Sequence, residues 1–328
     1  MGAPRRVAIT GVGVVAPCGV GVDAFWDGLQ VDQGTKEREL ADWDPSPLFD
    51  NPKEALWPDR FSQFALAAAA EALEQAGPLD ADPGRIGVLV GTGIGGIGTN
   101  EEQIVIQHVK GSRRVSPFLV PMMMPNAAAA SISMRHGFQG PCEATVTACA
   151  AGTHSIGNAG DLIRWGRCDV VIAGGAEAPR TPTSMAGFRN MTALSNSGES
   201  MPFSAERDGF VISEGAGILV MEEWDRAVAR GATILAEYLG SASTADAHHI
   251  TAPSPEGSGA IRSMQNALVD AGLEADAIVQ INAHGTSTPL NDAAEAKAMA
   301  AVFGIENGPL VTSIKGVTGH ALRRGRRN

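Results

Sequence analysis

Of the four cysteines in this chain (Cys18, Cys142, Cys149 and Cys168), one stands in a setting suited to nucleophilic chemistry. The run Ala144-Thr145-Val146-Thr147-Ala148-Cys149-Ala150-Ala151-Gly152 reads as a strand, then small residues, then a helix from about Thr153. A cysteine at such a strand-to-helix turn has its sulfur near the positive end of a helix dipole, which favours the thiolate. Small neighbours keep that sulfur open to a bulky substrate. The ordinary alternative is a buried structural thiol, and Cys18, Cys142 and Cys168 take that reading.

Two further segments carry groups that can serve a thiolate. Asn282-Ala283-His284-Gly285-Thr286-Ser287-Thr288-Pro289 sets a histidine just past a strand, among hydroxyl residues. Lys315-Gly316-Val317-Thr318-Gly319-His320 sets a lysine and a second histidine past another strand. Strand ends in α/β sheets are where ligand-handling groups gather. Alone, each of these side chains reads as an ordinary surface residue; together they describe a nucleophile with two imidazoles and an ammonium around it.

The elements that must position these groups alternate between β and α. Strands are expected at Val7–Thr10, Ile86–Val90, Ala144–Ala148, Val170–Ala173, Ala216–Glu222, Glu237–Gly240, Ile278–Ala283 and Leu310–Ser313. Helices are expected at Phe61–Ala76, Thr153–Trp165, Gly259–Ala271 and Ala293–Phe303. Buried strands alternating with alanine-rich helices indicate an α/β fold with helices covering the sheets. The glycines at Gly11-Val12-Gly13, Gly91 to Gly98 and Gly174-Gly175 read as turns at strand ends. Gly91, Gly93 and Gly96 fit a phosphate-loop spacing, but no Walker lysine and no suitably placed acid accompany them, so nucleotide binding is not expected.

Composition narrows the class. Hydrophobic residues make up 44% and charged residues 19% of 328, which is a globular balance. A net charge of −11 argues against nucleic acid or an anionic membrane as partner. No apolar run is long enough to span a bilayer, and the start has neither a signal-peptide core nor a myristoylation pattern. Four cysteines without a CxxC pair are not a disulfide framework, so a cytoplasmic enzyme is the expectation.

The turn at Cys149, the Asn-Ala-His-Gly-Thr-Ser-Thr run at His284 and the Lys-Gly-x-Thr-Gly-His run at Lys315 and His320 together resemble the elongating (type II) beta-ketoacyl-[acyl-carrier-protein] synthases. Ala173-Gly174-Gly175-Ala176-Glu177, Glu206-Arg207-Asp208-Gly209-Phe210-Val211 and Glu214-Gly215-Ala216-Gly217 agree as well, and the order holds from residue 5 to His320.

The resemblance implies a thiolase-like fold of two related α/β halves in αβαβα layers, residues 1–232 and 233–328, and a homodimer. It implies that Cys149 takes an acyl chain from acyl carrier protein, and that malonyl-carrier protein then loses CO2 and attacks the thioester. His284 and His320 would stabilise the developing enolate, and Lys315 would add positive field and pair with Glu295. Thr251, Thr286 and Thr288 match positions along the pantetheine tunnel, and Phe188 matches an aromatic beside the acyl pocket. Arg60, Arg113 and Arg114 match basic positions that dock the acidic carrier protein; another such position holds Thr192, with Arg189 nearby. No metal or organic cofactor is implied. The adjacent His248 and His249 read as tunnel wall, since neighbours on an extended chain face opposite ways.

After His320 the family continues with a Leu-x-Gly-Ala-Ala-Gly helix, a gating Gly-Phe-Gly-Gly loop and further strands. Here Ala321-Leu322-Arg323-Arg324-Gly325-Arg326-Arg327-Asn328 follows instead. A one-base insertion after the His320 codon converts a coding sequence for Leu-Tyr-Gly-Ala-Ala-Gly-Ala into this tail. The second half is therefore expected to be incomplete, and the alternative to an active synthase is a truncated or frameshifted remnant, or a partner subunit without catalysis. A thiolase fits less well, because it would use a second cysteine. Chain-length-factor subunits usually lack the nucleophile that Cys149 supplies.

Overall fold

The computed structural model describes residues 4–31, 39–51, 54, 57–306 and 308–320. Its first helices and strands follow from local chemistry. Strand β1 (Val7–Ala16) turns at once into β2 (Gly19–Val20) and helix α1 (Val22–Gln30). Helix α2 (Arg60–Ala76) starts where the Asp59 carboxylate accepts the Phe61 N–H and ends at Gly77, which takes φ 72°. Strand β3 (Ile86–Gly91) leads to α3 (Ile97–Lys110), α4 (Leu119–Met123) and α5 (Ala127–His136). The short β4 (Cys142–Glu143) precedes α6 (Ala151–Arg164) and β5 (Val170–Glu177). Helix α7 (Pro182–Asn190), β6 (Gly215–Glu223), α8 (Trp224–Ala229) and β7 (Ala236–Tyr238) complete this part.

These strands form one mixed sheet in the order β2-β1-β6-β5-β3-β4, with β7 paired to β1. Strand β5 runs parallel to β3 and antiparallel to β6. Helices α2 and α5 cover one face, where Phe61, Phe64, Ala68 and Ile132 pack on Val88, Val90, Ile172, Ile218 and Val220. Helix α6 covers the other face, where Ala159 and Ile163 meet Leu89, Val171, Ala173 and Met221. The sheet is thus buried on both sides, which is why its strands are runs of β-branched residues rather than alternating patterns.

Three expected strands differ from what forms, and in two of them glycine is the reason. Strand β1 does not stop at Gly11-Val12-Gly13 but runs through it, because α2 lies against the strand: a Cβ at Gly11 would stand 2.0 Å from the Ala72 carbonyl oxygen. Strand β5 likewise continues through Gly174, where a Cβ would stand 2.0 Å from the Gly217 carbonyl oxygen on β6. These glycines serve close approach rather than a turn. In the third case, Ala144–Ala148 forms no strand; ladder pairing with β3 is confined to Cys142 and Glu143, and beyond it the Thr145 carbonyl accepts the Thr92 N–H at 3.1 Å.

The remaining elements are α9 (Ser258–Ala271), β8 (Gln280–Asn282), α10 (Pro289–Phe303), β9 (Leu310–Thr312) and α11 (Lys315–Thr318). Strands β8 and β9 pair in parallel as a separate two-stranded sheet. Strand β7 lies beyond the half boundary expected at residue 232, yet its hydrogen bonds join it to β1. The tail from Ala321 to Asn328 lies outside the described residues. Among the described residues no helix is long and apolar enough to cross a membrane.

Candidate active site

Strands β3 and β5 pair as far as Gly91 opposite Gly175, and the chain enters α6 directly above that pair. A Cβ at Gly91 would stand 2.1 Å from the Ala151 carbonyl oxygen, and one at Gly175 would stand 2.9 Å from the Gly152 Cα. The two glycines therefore let the first turn of α6 rest on the sheet. Cys149 sits in the tight turn Ala148–Ala150 just before α6, after Ala148 adopts φ 51°. Its side chain is exposed on a cavity of about 480 Å³ lined by Val15, Phe25, Ile94, Glu177, Phe188 and His320, among others.

The expected lowering of the Cys149 pKa is not what its surroundings give. Burial of the turn pushes the thiol up; its own backbone N–H and Lys315 pull it down, and Glu177 pushes it up again. The balance lies above the ordinary thiol value, so near neutral pH the resting group is the thiol. The backbone N–H and Lys315 moderate the burial; they do not outweigh it.

His284 and His320 reach the same sulfur from two directions. One ring nitrogen of each and the Cys149 Sγ all lie within 4.8 Å of one another. The two imidazole rings meet edge-on, with centroids 5.6 Å apart at 80°. His320 is held by its backbone: its N–H donates to the Val211 carbonyl at 2.7 Å, and its carbonyl accepts the Ser213 N–H. Its ring lies against Phe210, centroids 5.2 Å apart, and Phe210 packs on Phe188. Burial, with help from Lys315, lowers the His284 pKa to about 4; burial, His284 and Lys315 lower that of His320 to about 3. Both rings are therefore neutral at pH 7, each with one N–H to donate.

Helix α10 fixes the loop that carries His284. The Glu295 carboxylate accepts the backbone N–H groups of His284 and Gly285, each at 2.7 Å. One turn earlier the buried Asp292 accepts from the Ser287 and Phe203 N–H groups at 3.2 and 2.8 Å. Glu295 is thus engaged with backbone amides, and the expected direct pair with Lys315 is not formed within 4 Å; Lys315 feels Glu295 through space. Burial pushes the Lys315 pKa down, against the pull of Glu295, Cys149 and Asp292. Asp292 escaped the sequence reading, although its spacing from Glu295 puts both acids on one helix face.

The other expected site residues divide. Phe188 lines the cavity. Thr251, Thr286 and Thr288 do not: Thr251 lies on an exposed loop bonded to His249 Nδ1, and the hydroxyls of Thr286 and Thr288 pair with each other at 2.9 Å. His248 and His249 are exposed on that loop. Arg60 is not a free surface cation, because its guanidinium holds the fully buried Glu214 carboxylate at 2.9 and 3.0 Å. Arg113 and Arg114 are exposed in a short turn after α3.

Glu177, at the end of β5, holds the loop beside the nucleophile. Its Oε2 accepts the Gly93 N–H at 2.5 Å and the Thr92 hydroxyl at 3.2 Å, tying the Gly-rich loop after β3 beside the Cys149 turn. Its Oε1 is buried with no partner among the described residues. Desolvation lifts the carboxyl from 4.5 to about 7, against the hydrogen bonds from Gly93 and Thr92. With the folded value above the unfolded one, the folded state binds more protons between pH 4.5 and about 7, and stability falls as pH rises through that window. The penalty is complete above about 7, at roughly 3 kcal/mol or less. Glu177→Gln removes the charge and keeps an acceptor, so unfolding should show it stabilised by about 1–3 kcal/mol near pH 8 and nearly unchanged below about pH 4. Equal shifts at both pH values would mean that the carboxyl is not held protonated by burial.

Comparison with known proteins agrees with this arrangement over nearly the whole chain. The family described as beta-ketoacyl synthase, N-terminal domain, matches residues 30–227, and the corresponding C-terminal domain matches residues 235–323. The "3-oxoacyl-[acyl-carrier-protein] synthase 2" of Synechocystis is 43% identical over 97% of this chain and 82% of its own length. The protein of the same name from Staphylococcus aureus is 45% identical over the same shares. Among solved structures, a beta-ketoacyl synthase from Burkholderia phymatum is 33% identical with a TM-score of 0.86, covering 97% of this chain and 82% of that one. A type II polyketide ketosynthase, bound to the hexaketide and in complex with its acyl-carrier protein, is 35% identical with a TM-score of 0.85, covering 97% and 83%.

Proposed function

The chain belongs to the beta-ketoacyl synthase family, and on that premise we propose that it is a 3-oxoacyl-[acyl-carrier-protein] synthase, an acyltransferase that elongates acyl chains by decarboxylative Claisen condensation. The observation that carries the reading is the convergence of the Cys149 sulfur and the two neutral imidazoles, with Cys149 and His320 in the wall of an apolar cavity.

In the first half-reaction the Cys149 sulfur attacks the thioester carbonyl of an acyl carrier protein. The acyl group passes to Cys149, and the carrier leaves as its free thiol with the proton that Cys149 gives up. Because the resting group is a thiol, deprotonation belongs to the approach of substrate, with Lys315 favouring the thiolate. The Cys149 backbone N–H, at the head of α6, is suited to the oxyanion of this step. The apolar cavity, with Phe188 in its wall, would hold the acyl chain.

In the second half-reaction a malonyl thioester loses CO2, and negative charge moves to its thioester oxygen. His284 and His320, neutral at pH 7, would donate their N–H groups to that oxygen. The carbanion attacks the Cys149 thioester, the 3-oxoacyl product leaves on the carrier, and the expelled thiolate takes up a proton. Each bond made replaces one broken, and no electrons are exchanged with an external acceptor. Arg113 and Arg114 remain as cations able to meet an acidic carrier protein.

The relatives at 43–45% identity bear a fatty-acid-type synthase name, and the polyketide ketosynthase is 35% identical, which favours fatty acid elongation. A cytoplasmic location suits four cysteines that form no disulfide among the described residues. A homodimer belongs to the same reading, with the exposed Ile104, Val105 and Val109 of α3 as an apolar face for a second copy. The test is CO2 release from carboxyl-labelled malonyl-carrier protein, with and without an acyl donor. Release coupled to formation of a 3-oxoacyl thioester supports the proposal, and acyl hydrolysis or cleavage of 3-oxoacyl thioesters in its place would refute it.

A further inference from the structure

The donor set around Cys149 has a second chemical meaning. We propose that Cys149, His284 and His320 form a binding site for a soft divalent cation, Zn2+ above all, and that occupancy silences the nucleophile. The binding part stands on geometry alone; only the loss of activity rests on the function proposed above.

A thiolate and two imidazoles are the ligand types that Zn2+ selects, and three protein ligands with one open position form a familiar zinc arrangement. The three donor atoms lie within 4.8 Å of one another. Bonds of about 2.0 Å to nitrogen and 2.3 Å to sulfur set tetrahedral donors about 3.3–3.7 Å apart, so closure needs a contraction of about 1 Å. Side-chain rotation can supply it. His320 is nine-tenths buried, its Nδ1 has no partner among the described residues, and no hydrogen bond to a described residue ties either imidazole ring. The cavity leaves the fourth position open to water.

The same surroundings set limits on affinity. Among the described residues no carboxylate or carbonyl orients the imidazoles from behind, as the ligands of tight zinc sites usually require. Lys315 faces all three donors and opposes a cation. The binding step is Cys149–SH plus M2+ giving Cys149–S–M+ and H+, with no change of oxidation state. The bound unit carries one net positive charge, so removing the Lys315 charge should tighten it. The sulfur of an acyl-Cys149 thioester is no longer a thiolate ligand, so acylation and metal exclude each other. His248 and His249 do not compete as a site, because His249 Nδ1 already accepts the Thr251 and Ala252 N–H groups.

The experiment titrates the intact, chelator-treated chain with Co2+ and then Zn2+. A thiolate-to-cobalt charge-transfer band, one proton released per metal and displacement by Zn2+ are expected. At a Zn2+ concentration ten times its Kd, iodoacetamide should modify Cys149 about 11-fold more slowly, with Cys18 and Cys142 unaffected. Cys149→Ser should abolish the band, and Lys315→Met should tighten binding by about 3–10-fold, a gain that misfolding would not mimic. The proposal is overturned if saturating Zn2+ leaves Cys149 alkylation unchanged, if the band survives in Cys149→Ser, or if Lys315→Met weakens binding. None of these readouts uses acyl transfer, so their failure would leave the synthase reading standing.

Discussion

Replacing Cys149 by serine is expected to lower acyl transfer from acyl carrier protein by about 10⁴-fold or more, the scale of losing a catalytic nucleophile. The expectation rests on access as much as on chemistry. Cys149 alone among the four cysteines is exposed; Cys168 is buried, and Cys18 and Cys142 are half-buried. Burial also pushes the Cys142 and Cys168 thiols up, against a hydrogen bond from Ser133 in the first and the Arg85 charge in the second. Peptide mapping after treatment with an acyl-carrier thioester, or with a cerulenin-type electrophile, should find the label on Cys149 alone. Modification of Cys142 or Cys168 ahead of Cys149 would remove the nucleophile from this account.

Alanine at His284 or His320 is expected to slow malonyl decarboxylation by about 10²–10³-fold while slowing acyl loading by less than about tenfold. The division follows from what each ring can do. With values near 4 and 3, neither imidazole is a useful base at pH 7, but each is a fixed N–H donor beside the sulfur. A donor matters most where charge appears on an oxygen, which is the enolate step. Loading draws on the sulfur, the head of α6 and Lys315. The same values place the loss of decarboxylation to ring protonation below about pH 4, so a profile that is flat in this limb down to pH 5 is expected. Single-turnover assays of the two half-reactions measure the split, and equal losses in both would contradict it.

Much of this centre was legible in the sequence, because the groups sit where chain direction changes among small residues. Cys149 precedes a helix, His284 follows β8, and Lys315 and His320 follow β9; each is announced by local pattern. What the pattern could not carry was the balance of long-range forces. The thiol of Cys149 opens onto the cavity, yet it sits above its ordinary value because desolvation by the surrounding walls outweighs its backbone N–H and Lys315, and those walls come from strands remote in sequence. Arg60 resembles a surface cation until Glu214, 154 residues away, closes on it. Glu177 looks like any acid after a strand until Gly93 and Thr92 arrive from β3. Glycines misled in one direction: Gly11 and Gly174 read as turns, whereas the fold needs them for contact between main chains.

The synthase reading is tested most directly by a mass chase on the intact chain. Incubation with an acyl-carrier protein should add one acyl group, mapped to Cys149. Adding malonyl-carrier protein should then remove that mass from the chain and return it on the carrier as a 3-oxoacyl group two carbons longer, with one CO2 per transfer. An acyl group that stays on Cys149 after malonyl-carrier protein is added, or that leaves only as the free acid, would contradict the assignment of this site to condensation.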